Sequence, residues 1–427
     1  MPSRAGSASH LPGALRPVPE AATALPPDER SYAILQTAFV STYAPHRCGI
    51  ATFTYDLSMS VGSRQIVALH PVGAQEAYPP EVRHRVRRDV LADYLAVAES
   101  LNRSTVDVVS IQHEYGIWGG RDGEYVLDFV RALRIPVVTT LHTVLRDPTP
   151  SQRRILVRLI AMSARTVVMS RAAASLLADA YDVDPARVEI VPHGVPALPL
   201  VDPAVVKPRL GLDGRLVILS FGLLGPGKGY ESAIAAMPAV VRQIPSALYV
   251  ILGATHPGLL LREGEAYREK LQATAAALGV TEHVRFVDRF VSRAELGTWL
   301  EAADLFVTPY PNLDQIVSGT LSYAMGAGKA IVSTPYAYAR ERLADGRGVL
   351  VAPGSSALLA DAFIDLLGDP VRRASIGRRA YEYSRGMVWP RIGAEYRRVL
   401  EQATLPRPAL PVTPSAVLPA HVGVPRG

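Results

Sequence analysis

The residues with the clearest capacity for chemistry lie in Val217–Glu231, VILSFGLLGPGKGYE. An apolar run with a β-branched start reaches Phe221 and then breaks into Gly222, Gly225, Gly227 and Gly229. A helical pattern of Ala, Ile and Met follows over Glu231–Val241. This order predicts a buried strand, a glycine-rich turn and a helix. Glycines let the backbone turn sharply and approach a ligand closely. The first N–H groups of the helix lack intrahelical partners and lie at the positive end of its dipole. Lys228 adds a full charge to the same turn. The chain has four lysines (207, 228, 270, 329) against forty-one arginines, so a lysine between two glycines stands out. The stretch reads as a phosphate cradle in which Gly222, Gly227 and Lys228 touch the anion. The plain alternative is a tight strand–helix turn with a solvated lysine.

The spacing from Gly222 to Gly227–Lys228 also matches G-x-x-x-x-G-K, the nucleotide-hydrolase P-loop. That motif continues with a Ser or Thr whose hydroxyl holds Mg²⁺; here the next residue is Gly229. Without the hydroxyl, a nucleotide-linked substrate fits better than a hydrolysed nucleotide, and no metal is expected.

The elements that must position this turn come in two successive α/β blocks. The first has apolar runs at Tyr32–Val40, Gln65–His70, Val106–Gln112, Pro136–Leu141, Arg165–Ser170 and Val188–Pro192. The second has them at Leu216–Phe221, Ala247–Leu252, Val284–Val287, Leu305–Thr308, Ala330–Ser333 and Gly348–Val351. Helical patterns alternate with the runs, so each block predicts a parallel sheet covered on both faces. Pro196–Asp213, rich in proline, reads as the linker. Residues 31–200 and 212–386 are then two doubly wound, Rossmann-like domains. Ligands of such sheets sit beyond the carboxyl ends of the strands, and two facing domains place a site in their cleft.

Composition narrows the remaining possibilities. A chain of 427 residues with 48% hydrophobic and 20% charged residues suits two ordinary globular domains. The formal charge of +6 permits an anionic substrate or membrane surface without requiring nucleic acid, and no nucleic-acid-binding signature is present. Cys48 stands alone, which excludes an internal disulfide framework or a cysteine metal cluster. No apolar run reaches the length of a membrane span, and residues 1–30 lack a signal-peptide core, so a cytoplasmic location is expected. Residues 1–30 and 405–427, rich in proline, read as disordered tails.

The first block contributes its own candidates at strand ends. Arg47–Thr52, RCGIAT, turns into a helix at Gly49. His113 and Glu114 end one strand and precede the loop YGIWGG. His142 follows the next strand, in TTLHT. One histidine at a strand end is commonly structural; two at successive strand ends are a stronger sign of a site. Arg171, which opens a helix, is a weaker anion contact.

Several segments together resemble the retaining glycosyltransferases of the GT-B fold, family 4 (glycosyl transferases group 1). They are VVTTLHT, VEIVPHGVP, FGLLGPGKG, LYVILGATHP, VRFVDRFVSRAELGTWLEAADLFVTPY and LSYAMGAGKAIVST, in this order over about Gln36–Glu401. The resemblance implies two Rossmann-like domains facing a cleft, acceptor domain first and donor domain second. A last helix, 387–404, would cross back to the first domain. It implies that His142 lies beside the reacting sugar, Gly49 near the donor phosphates and Lys228 on the diphosphate. Three positions depart from the family. Leu223 replaces an arginine on the diphosphate, and Gln315 and Tyr323 replace two glutamates eight residues apart, on the donor sugar and the ribose. Gln315 keeps hydrogen-bonding ability without charge; Tyr323 cannot accept from a ribose diol as a carboxylate does. Tyr323 can equally be a core aromatic. Between them, Ser318, Gly319 and Thr320 open a helix whose N–H and hydroxyl groups could hold phosphate oxygens.

The expected reaction is transfer of a hexose from a nucleotide sugar to a carbohydrate or lipid-linked acceptor, with Glu114 or His113 orienting the acceptor. Peripheral contact at the inner membrane face is compatible with it. A GT-B epimerase or phosphorylase, a non-catalytic sugar-nucleotide-binding protein and a P-loop hydrolase are the competing readings.

Overall fold

The computed structural model describes residues 35–62, 65–73 and 77–405. Both expected tails lie outside these residues, apart from Leu405. Two sheets, parallel throughout, organise the described chain. The first holds β1 (Thr37–Ser41), β2 (Gln65–His70), β3 (Val82–Arg87), β4 (Val108–His113), β5 (Val137–Leu141), β6 (Arg165–Val168) and β7 (Val188–Ile190). Their order is β3-β2-β1-β4-β5-β6-β7. The second holds β8 (Leu216–Phe221), β9 (Ala247–Leu252), β10 (Val284–Val287), β11 (Leu305–Thr308), β12 (Ala330–Ser333) and β13 (Val349–Leu350), in the order β10-β9-β8-β11-β12-β13. Each order reverses once, between β1 and β4 and between β8 and β11. Connections leave such a point to opposite sides and open a crevice at the carboxyl ends. The central strands are covered on both faces, so β1, β4, β5 and β9 are buried at every position.

β3 is a strand that the apolar runs did not reveal. Its sequence, VRHRVR, turns Arg83, Arg85 and Arg87 to solvent and buries Val86 alone. It is an edge strand, and its charges block further pairing. The expected linker Pro196–Asp213 also holds structure: a helix at Pro203–Val206 and a 3₁₀ turn at Lys207–Leu210. The buried Lys207 ammonium lies 2.7 Å from Asp304, which ties this segment to the second lobe.

Five helices bear on the cleft: α1 (Gly49–Val61), α2 (Tyr230–Gln243), α3 (Arg293–Ala302), α4 (Gly319–Gly326) and α5 (Trp389–Thr404). The last is the expected crossover helix, and it starts two residues later than predicted, after a 3₁₀ turn at Arg385–Met387. It lies against α1 so closely that a Cβ at Gly393 would meet Ser60 O at 2.4 Å. Its buried Tyr396 hydroxyl is 2.8 Å from both Ser110 Oγ and Thr140 Oγ1, inside the first lobe. Ile392, Val399 and Leu400 are buried on the same face, each contributing about 1.5–3 kcal/mol by leaving water.

Candidate active site

The glycine turn is built as its sequence predicts. β8 ends at Phe221, and α2 begins after Gly229 with no side chain capping it. Gly229 has φ 72°, and a Cβ there would stand 1.9 Å from Pro309 O, so only glycine fits. Gly222, at φ 130°, lies beside α4: a Cβ on it would be 3.6 Å from Thr320 Cγ2. Lys228 is half-buried, with its ammonium 4.6 Å above the Tyr310 ring. The Tyr310 hydroxyl is 2.9 Å from Thr320 Oγ1, which is 3.2 Å from Ser318 Oγ. Ser318 caps α4 by accepting from Leu321 N–H at 3.3 Å. Gly222, Lys228, Ser318, Gly319 and Thr320 therefore converge on one point, where the start of α4 meets the glycine turn. Among the described residues Lys228 has no ion-pair partner. A free ammonium, a hydroxyl pair and a helix N-terminus together suit an anion.

The first lobe supplies the opposite wall. The imidazole of His142 stands just past β5, with Nε2 2.9 Å from Gln112 Oε1. The Gln112 amide N–H donates to Ser110 Oγ at 3.4 Å, which orients its oxygen toward His142. His142 Nε2 must then carry the proton, leaving Nδ1 as an acceptor. Burial, with the charges of His193 and His113, pulls the His142 pKa down to about 3, so the ring is neutral at pH 7. Phe53 of α1 meets His142 edge-on at 4.8 Å and His193 at 5.1 Å. His193 reaches α4: a Cβ on Gly319 would lie 3.0 Å from its Nε2. Its Nδ1 is 2.7 Å from Gly194 O, and burial lowers its pKa to about 4. The chain of contacts His142–Phe53–His193–Gly319 thus joins the first-lobe wall to the start of α4.

The lobes touch elsewhere around the cleft. Ser170 Oγ donates to Ile316 O at 2.8 Å, Arg342 to Met169 O at 2.6 Å, and Arg146 pairs with Asp314 at 2.9 Å. The His256 pKa is lowered by burial and then by the charges of Arg262, Lys228 and His46.

Other residues singled out by the sequence have different surroundings. Gly49 is exposed at the start of α1, behind Cys48, whose sulfur accepts from Ala51 N–H at 3.3 Å. Burial acts to raise the Cys48 pKa, but hydrogen bonds from His46, Thr42 and Ala51 N–H outweigh it and lower the pKa. Gly227 is exposed at φ 86°, with open space around its Cα. The Gln315 amide donates to Val317 O at 2.8 Å within its own loop. The Glu114 carboxylate accepts from the Thr143 hydroxyl, and burial raises its pKa.

His113, expected on the acceptor, is fully buried. In this arrangement an acceptor in the cleft cannot reach it. Among the described residues neither ring nitrogen has a hydrogen-bond partner, and burial lowers its pKa to about 4. Tyr323, expected on the donor, directs its hydroxyl to Asp56 Oδ2 at 2.7 Å. Gln112, Phe53, Asp56, His193 and Arg293 were not singled out beforehand. Only His193 carried a local signal, a histidine set between proline and glycine in VPHGVP. Among the described residues, no cluster of three His, Cys, Asp or Glu side chains could hold a metal.

Two family models match the chain: "Glycosyltransferase Family 4" over residues 46–197 and "Glycosyl transferases group 1" over residues 206–383. A D-inositol 3-phosphate glycosyltransferase of Frankia alni is 28% identical over 366 residues, which are 78% of this chain and 87% of the relative. A GDP-mannose-dependent alpha-(1-6)-phosphatidylinositol monomannoside mannosyltransferase of Mycolicibacterium smegmatis is 31% identical over 256 residues, 58% of this chain and 64% of that one. Among solved structures, Anabaena HepE in complex with UDP and glucose superposes with a TM-score of 0.70 at 16% identity, covering 86% of this chain and 99% of its own.

Proposed function

The chain belongs to the family 4, group 1 glycosyltransferases and has their GT-B fold, and from that premise we propose that it transfers a hexose, with retention, from a nucleotide-diphosphate sugar to a carbohydrate or lipid-linked acceptor. The observation that carries this reading is the meeting of Gly222, Lys228 and Thr320 at the start of α4. Departure of a nucleoside diphosphate concentrates negative charge on its terminal phosphate. An ammonium and fixed N–H groups already aimed there stabilise the transition state without reorganising.

In the proposed step the bond from the sugar C1 to the diphosphate oxygen breaks, and the diphosphate leaves with the electron pair. The acceptor oxygen bonds to C1 from the same face and gives its proton to the departing phosphate. The neutral His142 ring, fixed by Gln112, accepts a hydrogen bond from a hydroxyl of the transferred sugar. Glu114, at the end of β4, orients the acceptor. Gly49 and Gly227 are proposed to lie along the donor phosphates, and Gln315 beside the donor sugar. No metal is assigned to this scheme. The two sequence relatives named above carry the names of enzymes acting on D-inositol 3-phosphate and on a phosphatidylinositol monomannoside, which supports a polar or lipid-linked acceptor. No described helix is long and apolar enough to cross a membrane. We place the enzyme in the cytoplasm, with peripheral contact at the inner membrane face when the acceptor is a lipid.

The test is a transfer assay with UDP- and GDP-hexoses against an acceptor panel that includes inositol phosphates and phosphatidylinositol. The anomeric configuration of the product is read by NMR. An α-linked product from an α-linked donor supports the reading; an inverted product rejects retention. A second reading, a GT-B protein that binds a sugar nucleotide without transfer, draws on Gln315 and Tyr323, where neither side chain is a carboxylate. Binding without turnover across the panel would favour it. Sugar released or epimerised without an acceptor, or strict dependence on inorganic phosphate, would indicate an epimerase or phosphorylase.

A further inference from the structure

Asp56 is a buried carboxylate in the middle of α1, on the first lobe. Its Oδ2 accepts from the Tyr323 hydroxyl at 2.7 Å, and its Oδ1 lies 3.0 Å from Arg293 Nη1. Tyr323 is on α4 and Arg293 opens α3, so both partners belong to the second lobe. Among the described residues Asp56 has no other hydrogen-bond or ion-pair partner. The Arg293 guanidinium also stacks over the Tyr55 ring at 3.8 Å, on the same turn of α1. Tyr323 stands one turn after Gly319 and Thr320, the start of the anion cradle. α1 begins at Gly49, which faces the same cleft from the other lobe. This hydrogen bond, between residues 267 positions apart, links α1 of the first lobe to α4 of the second.

We propose that Asp56, Tyr323 and Arg293 form an interlobe clasp that holds the cleft in its donor-ready arrangement, with Asp56 and Tyr323 as positioning residues. The inference rests on the reading of this cleft as the donor site. Arg293 is 45% exposed, so solvent screens its share. The buried hydroxyl–carboxylate bond carries most of the effect. A hydrogen bond to a charged group of this kind biases an equilibrium by about ten- to a hundredfold. When the competent state is less populated, apparent affinity falls by the same fraction. Loosening the clasp should therefore raise the donor KM more than it lowers kcat.

The experiment uses the full chain with Tyr323→Phe, Asp56→Ala and the double variant. Small-angle X-ray scattering of the unliganded proteins reads lobe separation. Calorimetry with UDP and GDP reads affinity, and steady-state kinetics separates KM from kcat. The expected result is a larger radius of gyration in each single variant, reversed by saturating nucleotide. Nucleotide affinity should fall about tenfold in each, and the double variant should be no worse than Asp56→Ala alone, because that substitution already removes the hydrogen bond that Tyr323→Phe removes. Folded variants with the wild-type radius of gyration and wild-type affinity would overturn the clasp. So would effects that multiply in the double variant. Tyr323→Phe is nearly isosteric and keeps the test open if Asp56→Ala does not fold. If the wild-type protein binds neither nucleotide, the donor-site reading fails, and the scattering still decides whether the clasp exists.

Discussion

His142 Nε2 lies 2.9 Å from Gln112 Oε1, and this contact fixes which ring nitrogen of a neutral histidine faces the cleft as an acceptor. Replacing His142 with Ala in a folded protein should lower turnover by about a hundredfold, the effect of losing one well-placed catalytic contact. Gln112→Ala leaves the ring in place without its orienter and should cost about tenfold. Steady-state assays of both variants check the order. Wild-type turnover in the His142 variant would remove that residue from the chemistry.

Lys228 is the ammonium at the cradle, and among the described residues no carboxylate neutralises it. Lys228→Ala should reduce kcat by on the order of a hundredfold or more, because the lost charge acts on the leaving diphosphate. The same assays run in excess EDTA should proceed at the untreated rate. Metal-dependent turnover, or a near-normal rate in the Lys228 variant, would reject this account of leaving-group stabilisation.

Stability should depend on the histidines whose pKa burial lowers, among them His142, His113 and His193. His113 and His193 have folded pKa values of about 4, below the roughly 6.5 of an exposed histidine. The unfolded chain therefore takes up protons first as pH falls. Their neutral-state stabilisation is complete above about pH 6.5 and is lost toward pH 4, at up to about 1.4 kcal/mol per pH unit for each. Among the described residues His113 has no partner on either ring nitrogen, so His113→Leu sacrifices no hydrogen bond there. Thermal melts from pH 7.5 to 4.5 should show a shallower acid limb for that variant than for the wild type.

Gly229 sits at φ 72° against Pro309 O. Alanine there forces a left-handed backbone and a clash with the chain that follows β11. The cost should be at least about 1–3 kcal/mol. The thermal unfolding transition of the second lobe should move down, and nucleotide affinity should fall with it. An unchanged melt would mean that the turn adapts freely and the cradle is not preformed.

The parts of the fold legible in the sequence are those with local causes. β8, the glycine turn and α2 follow from consecutive residues, and the apolar runs matched strands because both sheets are covered on two faces. β3 was not legible, because an edge strand with Arg83, Arg85 and Arg87 outward has almost no apolar signature. The site divides in the same way. Gly222 and Lys228 announce themselves by composition, and the Ser318–Thr320 turn by its place in the family resemblance. Asp56, Gln112 and His193 acquire their surroundings from elements far away in sequence, and nothing in their own segments shows those partners. His113 was misleading for a related reason: a strand end reads as an edge of the cleft, but the YGIWGG loop places Tyr115 edge-on to the ring at 5.0 Å, and the ring is buried.

The central claim is that backbone N–H groups at the start of α4, with Lys228, hold the diphosphate of a nucleotide sugar. Calorimetric titration of the wild-type and Lys228→Ala proteins with UDP, GDP, uridine and guanosine tests it most directly. At least one diphosphate should bind the wild type about a hundredfold more tightly than its nucleoside, and the lysine variant should lose most of that difference. Nucleosides binding as well as their diphosphates, or a diphosphate preference untouched by the loss of Lys228, would contradict it.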